Sequence, residues 1–213
     1  MRKVLLLAVV LFAVACSSDA PAVVGPIAPR STATTTFPVA FPPVVAALGD
    51  SLLFGGVEDL RTALGATRLE GHAVIGVRIE ETAADRERLL GESPAVFVVA
   101  LGTNNATDGL TSSDLRAVDE MVAGLAGRRC VRWVDVSTSF PRRPWNDAAR
   151  AINAEIKMQM AGKATMRIIP WSAALTKHPE WISADGVHHT VAGTSAFIEM
   201  ITGAVRECLE DRG

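Results

Sequence analysis

From residue 95 to residue 101 the chain reads Ala-Val-Phe-Val-Val-Ala-Leu, without a polar side chain. A strand apolar on both faces needs cover on both faces, the situation of a parallel sheet between two layers of helices. The rest of the chain repeats that demand. Further strand-like runs fall at residues 44–48, 131–136 and 166–170, with a weaker one at 67–75. Between them lie stretches with helical spacing: 57–64, 79–90, a helix capped by Ser112 or Ser113 and running to about 126, one capped by Asn146 and running to 160, and one after Thr190 reaching about 209. Strands alternating with helices predict an α/β fold, a five-stranded parallel sheet in three layers, α/β/α. In such sheets ligands bind beyond the carboxyl ends of the strands.

Three groups of residues with chemical potential sit at those ends. Gly49-Asp50-Ser51 closes the first strand and opens a helical stretch, which brings a serine hydroxyl and its N–H to the sheet edge. Gly76 follows the second strand, with Gly71 as a competitor for the same role. Gly102-Thr103-Asn104-Asn105 follows the third. A nucleophilic serine needs a base, and the base needs an acceptor that orients it. Asp185-Gly186-Val187-His188, just before the last helix, supplies both: a carboxylate three residues before an imidazole can take its Nδ1–H and leave Nε2 for the serine. His189 is the rival base. Adjacent histidines rarely share one ion and no Cys/His cluster accompanies them, so neither a metal nor any other cofactor is expected. His72 reads as structural, Asp50 as a turn-former, Asp108 and Asp114 as loop and cap residues, and Arg78 as a solvated cation, with contact to a polar substrate group as the alternative.

These four blocks, in this order, resemble those of the SGNH/GDSL hydrolase superfamily. The resemblance spans residues 44–209 and implies the flavodoxin-like fold of that superfamily. It also implies catalytic Ser51, Asp185 and His188, with an oxyanion hole from the N–H groups of Ser51 and Gly76 and the side chain of Asn104. Asn105 stands where many members have Asp. A narrower pattern runs through residues 131–137, Pro141-Arg142-Arg143-Pro144-Trp145, Asn153, Trp171-Ser172, His178-Pro179-Glu180-Trp181 and the Asp185–His188 block. It is similar to the extracytoplasmic SGNH domains of polysaccharide and peptidoglycan O-acyltransferases. That likeness implies ester chemistry on envelope carbohydrate, with a membrane acyltransferase as a partner. A GDSL-type lipase or thioesterase, favoured by a wide apolar pocket near Leu52-Leu53-Phe54, and a non-catalytic envelope-binding lipoprotein are the alternatives. Of the four tryptophans, Trp133 and Trp171 read as core. Trp145 and Trp181 lie in expected loops and are candidate platforms for a sugar ring.

The N-terminus gives an address. Met1-Arg2-Lys3 is basic, residues 4–15 are apolar but shorter than the ~20 residues a membrane span needs, and small residues precede Cys16. This resembles a bacterial lipoprotein signal: residues 1–15 are removed and Cys16 is lipidated, anchoring the protein outside the cytoplasm without a span. An ordinary secretory signal is the alternative. Residues 16–43 form a tether. Six of the chain's 11 prolines fall here and its only charges are Asp19 and Arg30, so it cannot bury a core. Extended at ~3.1 Å per residue it reaches roughly 80 Å. The remaining 44–213 make one domain. Export permits a disulfide between Cys130 and Cys208, and whether they meet is open at this level. The net charge of −2, with no Lys/Arg run, excludes the basic footprint of a nucleic-acid binder.

Overall fold

A computed structural model describes residues 42–211. Cys16, the signal and nearly all of the tether lie outside the described residues. Five strands, β1 (Val44–Gly49), β2 (Arg68–Ala73), β3 (Val96–Ala100), β4 (Val131–Val134) and β5 (Met166–Ile169), form one sheet in the order β2-β1-β3-β4-β5, every neighbouring pair parallel. This is the flavodoxin-like order, with its switch point between β1 and β3. Ser51 and Asn104 follow those two strands.

Successive side chains in a strand point to opposite faces, so each strand feeds two cores. Ala46, Leu48, Phe97, Val99, Val131 and Trp133 meet α3 (Ala83–Gly91), α5 (Ser112–Gly124) and α6 (Arg143–Met160) on one face. Val45, Ala47, Val96, Val98, Val134 and Ile169 meet α2 (Val57–Leu64), α7 (Trp171–Lys177) and α8 (Val191–Glu210) on the other. Each fully buried Val, Leu, Ile or Phe contributes about 1.5–3 kcal/mol from water exclusion. Two short helices complete the set, α1 (Ser51–Phe54) and α4 (Thr103–Thr107). Among the described residues no helix is long and apolar enough to cross a membrane.

Several sequence-based boundaries move. The cap of α5 is Thr111, one residue before Ser112, because Asp114 reaches back to bond both the Thr111 N–H and its hydroxyl. Asn146 does not cap α6, which begins at Arg143 with Pro144 in its first turn. The Asn146 amide instead clasps the preceding loop, accepting from the Phe140 N–H at 2.7 Å and donating to its carbonyl at 2.9 Å. The 79–90 stretch splits into a 3-10 turn over Ile79–Thr82 followed by α3. Cys130 and Cys208 are joined in a disulfide with Cα atoms 6.1 Å apart, pinning the start of β4 to the end of α8.

Candidate active site

The Gly-Asp-Ser segment turns sharply because Asp50 holds both sides of the turn. Its N–H donates to the Ala100 carbonyl at the end of β3 (3.1 Å), and its Oδ1 accepts from the Leu52 N–H (3.0 Å), capping α1. Ser51 is therefore the first residue of a helix, and its N–H has no partner within that helix. Asp50 is buried, and this burial pushes its carboxyl up to about 6 against the lowering effect of the Leu52 N–H. The turn-forming role expected of Asp50 is the one it has here.

The Asp185–His188 loop places the imidazole by a dense set of bonds to one carboxylate. Asp185 Oδ1 accepts from the N–H groups of Val187 (2.9 Å) and His188 (3.0 Å) and from the Ser183 hydroxyl (2.7 Å). Oδ2 lies 2.6 Å from His188 Nδ1. Together, with the Val187 N–H foremost, these bonds hold the Asp185 carboxyl well below the usual carboxylate range. Gly186 makes the loop feasible twice over: its φ is +74°, and a Cβ there would sit 2.6 Å from Pro141 Cδ. On the far side of the ring, His188 Nε2 is 3.1 Å from Ser51 Oγ. An ionised Asp185 fixes the tautomer with the proton on Nδ1, so Nε2 faces the serine as an acceptor.

His189 points elsewhere. Its Nε2 accepts from Trp171 Nε1 (3.2 Å), and its ring sits 4.9 Å from those of Trp171 and Phe197. Burial pushes its pKa down to about 4, so it stays neutral. Its neighbour is the histidine that meets Ser51.

Gly76 occupies the third position of a turn closed by Val77 N–H to the Val74 carbonyl (3.4 Å), with φ +80° as that position requires of a type II turn. Its own N–H is outside that bond. Gly71 lies inside β2, opposite Ala47, away from the strand's carboxyl end. Asn104, in α4, donates from Nδ2 to the Val77 carbonyl at 2.8 Å, which ties the loop after β2 to the loop after β3. The structure thus brings Ser51, Gly76, Asn104, Asp185 and His188 to the carboxyl edge of the sheet, and leaves Gly71 in the strand.

Two expectations are corrected. Arg78 is not a solvated cation: its guanidinium bonds Asp114 (2.6 Å) and Glu80 (2.8 Å). Asp114 is fully buried; desolvation alone would raise its pKa, but the bonds from Arg78, Asn105 and Thr111 outweigh it and bring it to about 2. Trp181 is not an open platform, since Trp171 stacks on it at 5.7 Å and His178 at 4.1 Å, both nearly parallel. Trp145 borders a groove of about 540 Å³ with Asp108, Asp147 and Thr107, while the Arg142 guanidinium lies over its ring at 4.7 Å. Trp133 and Trp171 are core, as read. His72 pairs with Asp85 at 3.1 Å.

Sequence reasoning missed three supports. Ser183 orients Asp185, a signal present as a serine two residues before an aspartate in a turn. Asn105 is wholly buried, accepts from the Ile79 N–H and donates to Glu80 and Asp114. Asp135 Oδ1 accepts from the Ser172 N–H at 2.7 Å, latching α7 to the end of β4; its burial pushes its carboxyl up to about 6.

The 2-1-3-4-5 parallel sheet with its helices, which carries the Ser51–His188–Asp185 chain of contacts at its edge, superposes on a set of solved structures. The chain has the SGNH hydrolase fold. The C-terminal catalytic domain of Streptococcus pneumoniae peptidoglycan O-acetyltransferase A, solved with a methylsulfonyl adduct, superposes with a TM-score of 0.63 at 19% identity, covering 80% of this chain and 97% of that one. TesA superposes at 0.65 and 18% identity, covering 78% and 99%. The psychrotrophic esterase EstA from Pseudoalteromonas sp. superposes at 0.63 and 12% identity, covering 78% and 98%. No family model and no curated protein sequence matches the chain. The SGNH likeness thus rests on three-dimensional structure and on the sequence blocks, which lie at the carboxyl edge of the sheet and in the loop before α8.

Proposed function

We propose that this protein is a serine esterase or O-acyltransferase acting on short acyl esters, acetyl foremost, of cell-envelope carbohydrate. In this reading lipidated Cys16 anchors it outside the cytoplasm. The observation that carries the chemistry is the chain of contacts Ser51 Oγ–His188 Nε2 at 3.1 Å and His188 Nδ1–Asp185 Oδ2 at 2.6 Å.

His188 Nε2 takes the Ser51 proton as Oγ attacks the ester carbonyl. The oxyanion of the tetrahedral intermediate accepts from the Ser51 and Gly76 N–H groups and the second Nδ2 hydrogen of Asn104, the first being held by Val77. Collapse breaks the carbonyl–alkoxy bond, and His188 returns the proton to the departing alcohol. The acyl-serine then transfers to an acceptor hydroxyl, again deprotonated by His188. Water as acceptor makes an esterase; a sugar hydroxyl makes a transferase.

Two features support a large alcohol portion. The side chains of Asp185 and His188 are each 52% exposed, so the relay stands on an open edge that a polymer can approach. The groove beside Trp145 begins at Ala106 and Thr107, two to three residues beyond Asn104 and so about 3–5 Å further along the helix. It offers two carboxylates and part of the Trp145 indole, whose ring the Arg142 guanidinium overlies at 4.7 Å, a lining suited to sugar hydroxyls. The S. pneumoniae O-acetyltransferase domain sharing this fold fits the same reading. A lipase reading draws on one observation, the exposure of Phe54, Val74 and Ile75 near Ser51 and Gly76 in the chain.

The test is intact-mass spectrometry of the protein mixed with a small activated acetyl ester, with and without wall-type oligosaccharides. Acetyl appearing on Ser51 and passing to sugar establishes a transferase. Free acetate regardless of sugar establishes an esterase. No adduct and no turnover, with turnover of long-chain esters instead, overturns the short-acyl reading.

A further inference from the structure

At the end of the sheet opposite Ser51, a buried arginine lacks a counter-ion among the described residues. Arg132, in β4, is 4% exposed, and its guanidinium makes one hydrogen bond, from Nη1 to the neighbouring Val131 carbonyl at 3.1 Å. A guanidinium carries five N–H donors, and none of the Arg132 nitrogens is sealed off without a partner, so the donors that Val131 does not take stay available at the cavity that Arg132 lines. Arg132 is registered directly against Arg167 of β5, so the two side chains leave the same face of the sheet side by side. Burial and then the Arg167 charge both push the Arg132 pKa down; Glu207 and Asp211, at the end of α8, offset this in part but make no ion pair with it. These arginines, with Arg129, line a cavity of about 140 Å³ whose wall includes the Cys130–Cys208 disulfide and Asp211.

We propose that this cavity is a binding site for a phosphate dianion, free or as a terminal phosphomonoester, held by Arg132, Arg167 and Arg129. Arg132, Arg167 and Arg129 line the cavity against one lining carboxylate, Asp211, with Glu207 nearby on α8, so the site keeps a net positive charge that favours an anion. Arginine forks bind phosphate oxygens in pairs, and three forks from β4, β5 and the turn before β4 suit a tetrahedral group better than a planar carboxylate. The volume accommodates such an anion with some of its water, each water occupying ~30 Å³. The disulfide fixes β4 to α8 and so holds two walls of the cavity together. This site is independent of the ester chemistry proposed for the opposite edge.

The test is calorimetric titration of the oxidised protein with sodium phosphate, glycerol phosphate and dimethyl phosphate at pH 8, ionic strength being held constant with sodium chloride. Saturable one-to-one binding of inorganic phosphate is expected, with dimethyl phosphate, a monoanion, at least tenfold weaker. Arg167→Gln and Arg129→Gln change exposed residues and should each weaken phosphate at least tenfold while leaving ester turnover unchanged. Arg132→Gln should abolish binding, and the exposed pair keeps the test decisive if that variant folds poorly. Glycerol phosphate binding as tightly as phosphate identifies the site with phosphate carried on a larger molecule; binding of inorganic phosphate alone identifies it with the free ion. No saturable binding in the wild type, or equal affinity in the arginine variants, overturns the proposal.

Discussion

Ser51 and His188 are 137 residues apart in the chain and 3.1 Å apart in space. Neither is close to the other by any local rule. Ser51 is held by the turn that Asp50 caps, and His188 by the loop that Asp185 organises. The sheet brings the two together. A relay assembled from two locally rigid turns makes each residue separately testable.

Ser51→Ala and His188→Ala should each lower turnover of an activated acetyl ester by at least ~10³, because the two act as a unit. Asn104→Ala should cost ~10²–10³ in kcat. Circular dichroism and the melting temperature check that each variant is folded. Unchanged turnover in folded Ser51→Ala would remove the serine mechanism.

Asn105→Asp would install the residue many SGNH proteins carry, and here it should destabilise. The Asn105 amide donates to Glu80 Oε2 and Asp114 Oδ1, both at 2.8 Å. A third carboxylate would then face those two from a fully buried position. The expected cost is on the order of 2–3 kcal/mol, read as a lower urea midpoint. An unaltered midpoint would show that the network adapts and that Asn105 is incidental.

Two buried carboxylates should give the stability–pH curve opposite slopes. Asp50 has a folded pKa raised from 3.8 to about 6. Its contribution is fully present below 3.8 and is lost as pH rises through about 6, a swing on the order of 3 kcal/mol. Asp114 is lowered from 3.8 to about 2. Its contribution is present above 3.8 and is lost as pH falls toward about 2, on the order of 2 kcal/mol. Chemical denaturation from pH 3 to 8 should therefore show Asp50→Asn gaining relative to the wild type between pH 4 and 6. A difference independent of pH would refute the assignment of a raised pKa to Asp50.

Replacing Cys130 and Cys208 with serine should lower stability without touching ester chemistry. The bridge closes a loop with a sequence separation of 78. Chain-entropy reasoning puts the loss at about 4 kcal/mol. The measurable pair is a lower melting temperature with an unchanged kcat/KM, since the bond lies at the opposite end of the sheet from Ser51. A fall in kcat/KM at a temperature where the variant is folded would mean that the two ends are coupled.

Much of the architecture was legible because it depends on local pattern. An apolar seven-residue run demands cover on two faces, alternation demands a parallel sheet, and Asp-Gly-Val-His is a turn whose own bonds orient its imidazole. Helix starts were less legible. Thr111, Ser112 and Ser113 are all good caps, and what selected Thr111 was the reach of Asp114, which depends on Arg78 from another element. Asn146 carries a cap signal too, yet its amide found the Phe140 backbone, a partner that exists only once the loop has folded back.

The sequence by itself determined the sheet, the blocks that carry the chemistry, and the choice of His188 over His189 insofar as Asp185 stands three residues before it. Only the tertiary structure decided how these pieces are used. Trp181 lost its open face to Trp171 and His178, Arg78 became a structural ion partner, and the two cysteines met. Arg132 and Arg167 came side by side through strand register. The reason is the range of the forces. Backbone preference and hydrophobic period act over a few residues and can be read along the chain, whereas burial, ion pairing and ring stacking depend on neighbours that only folding supplies.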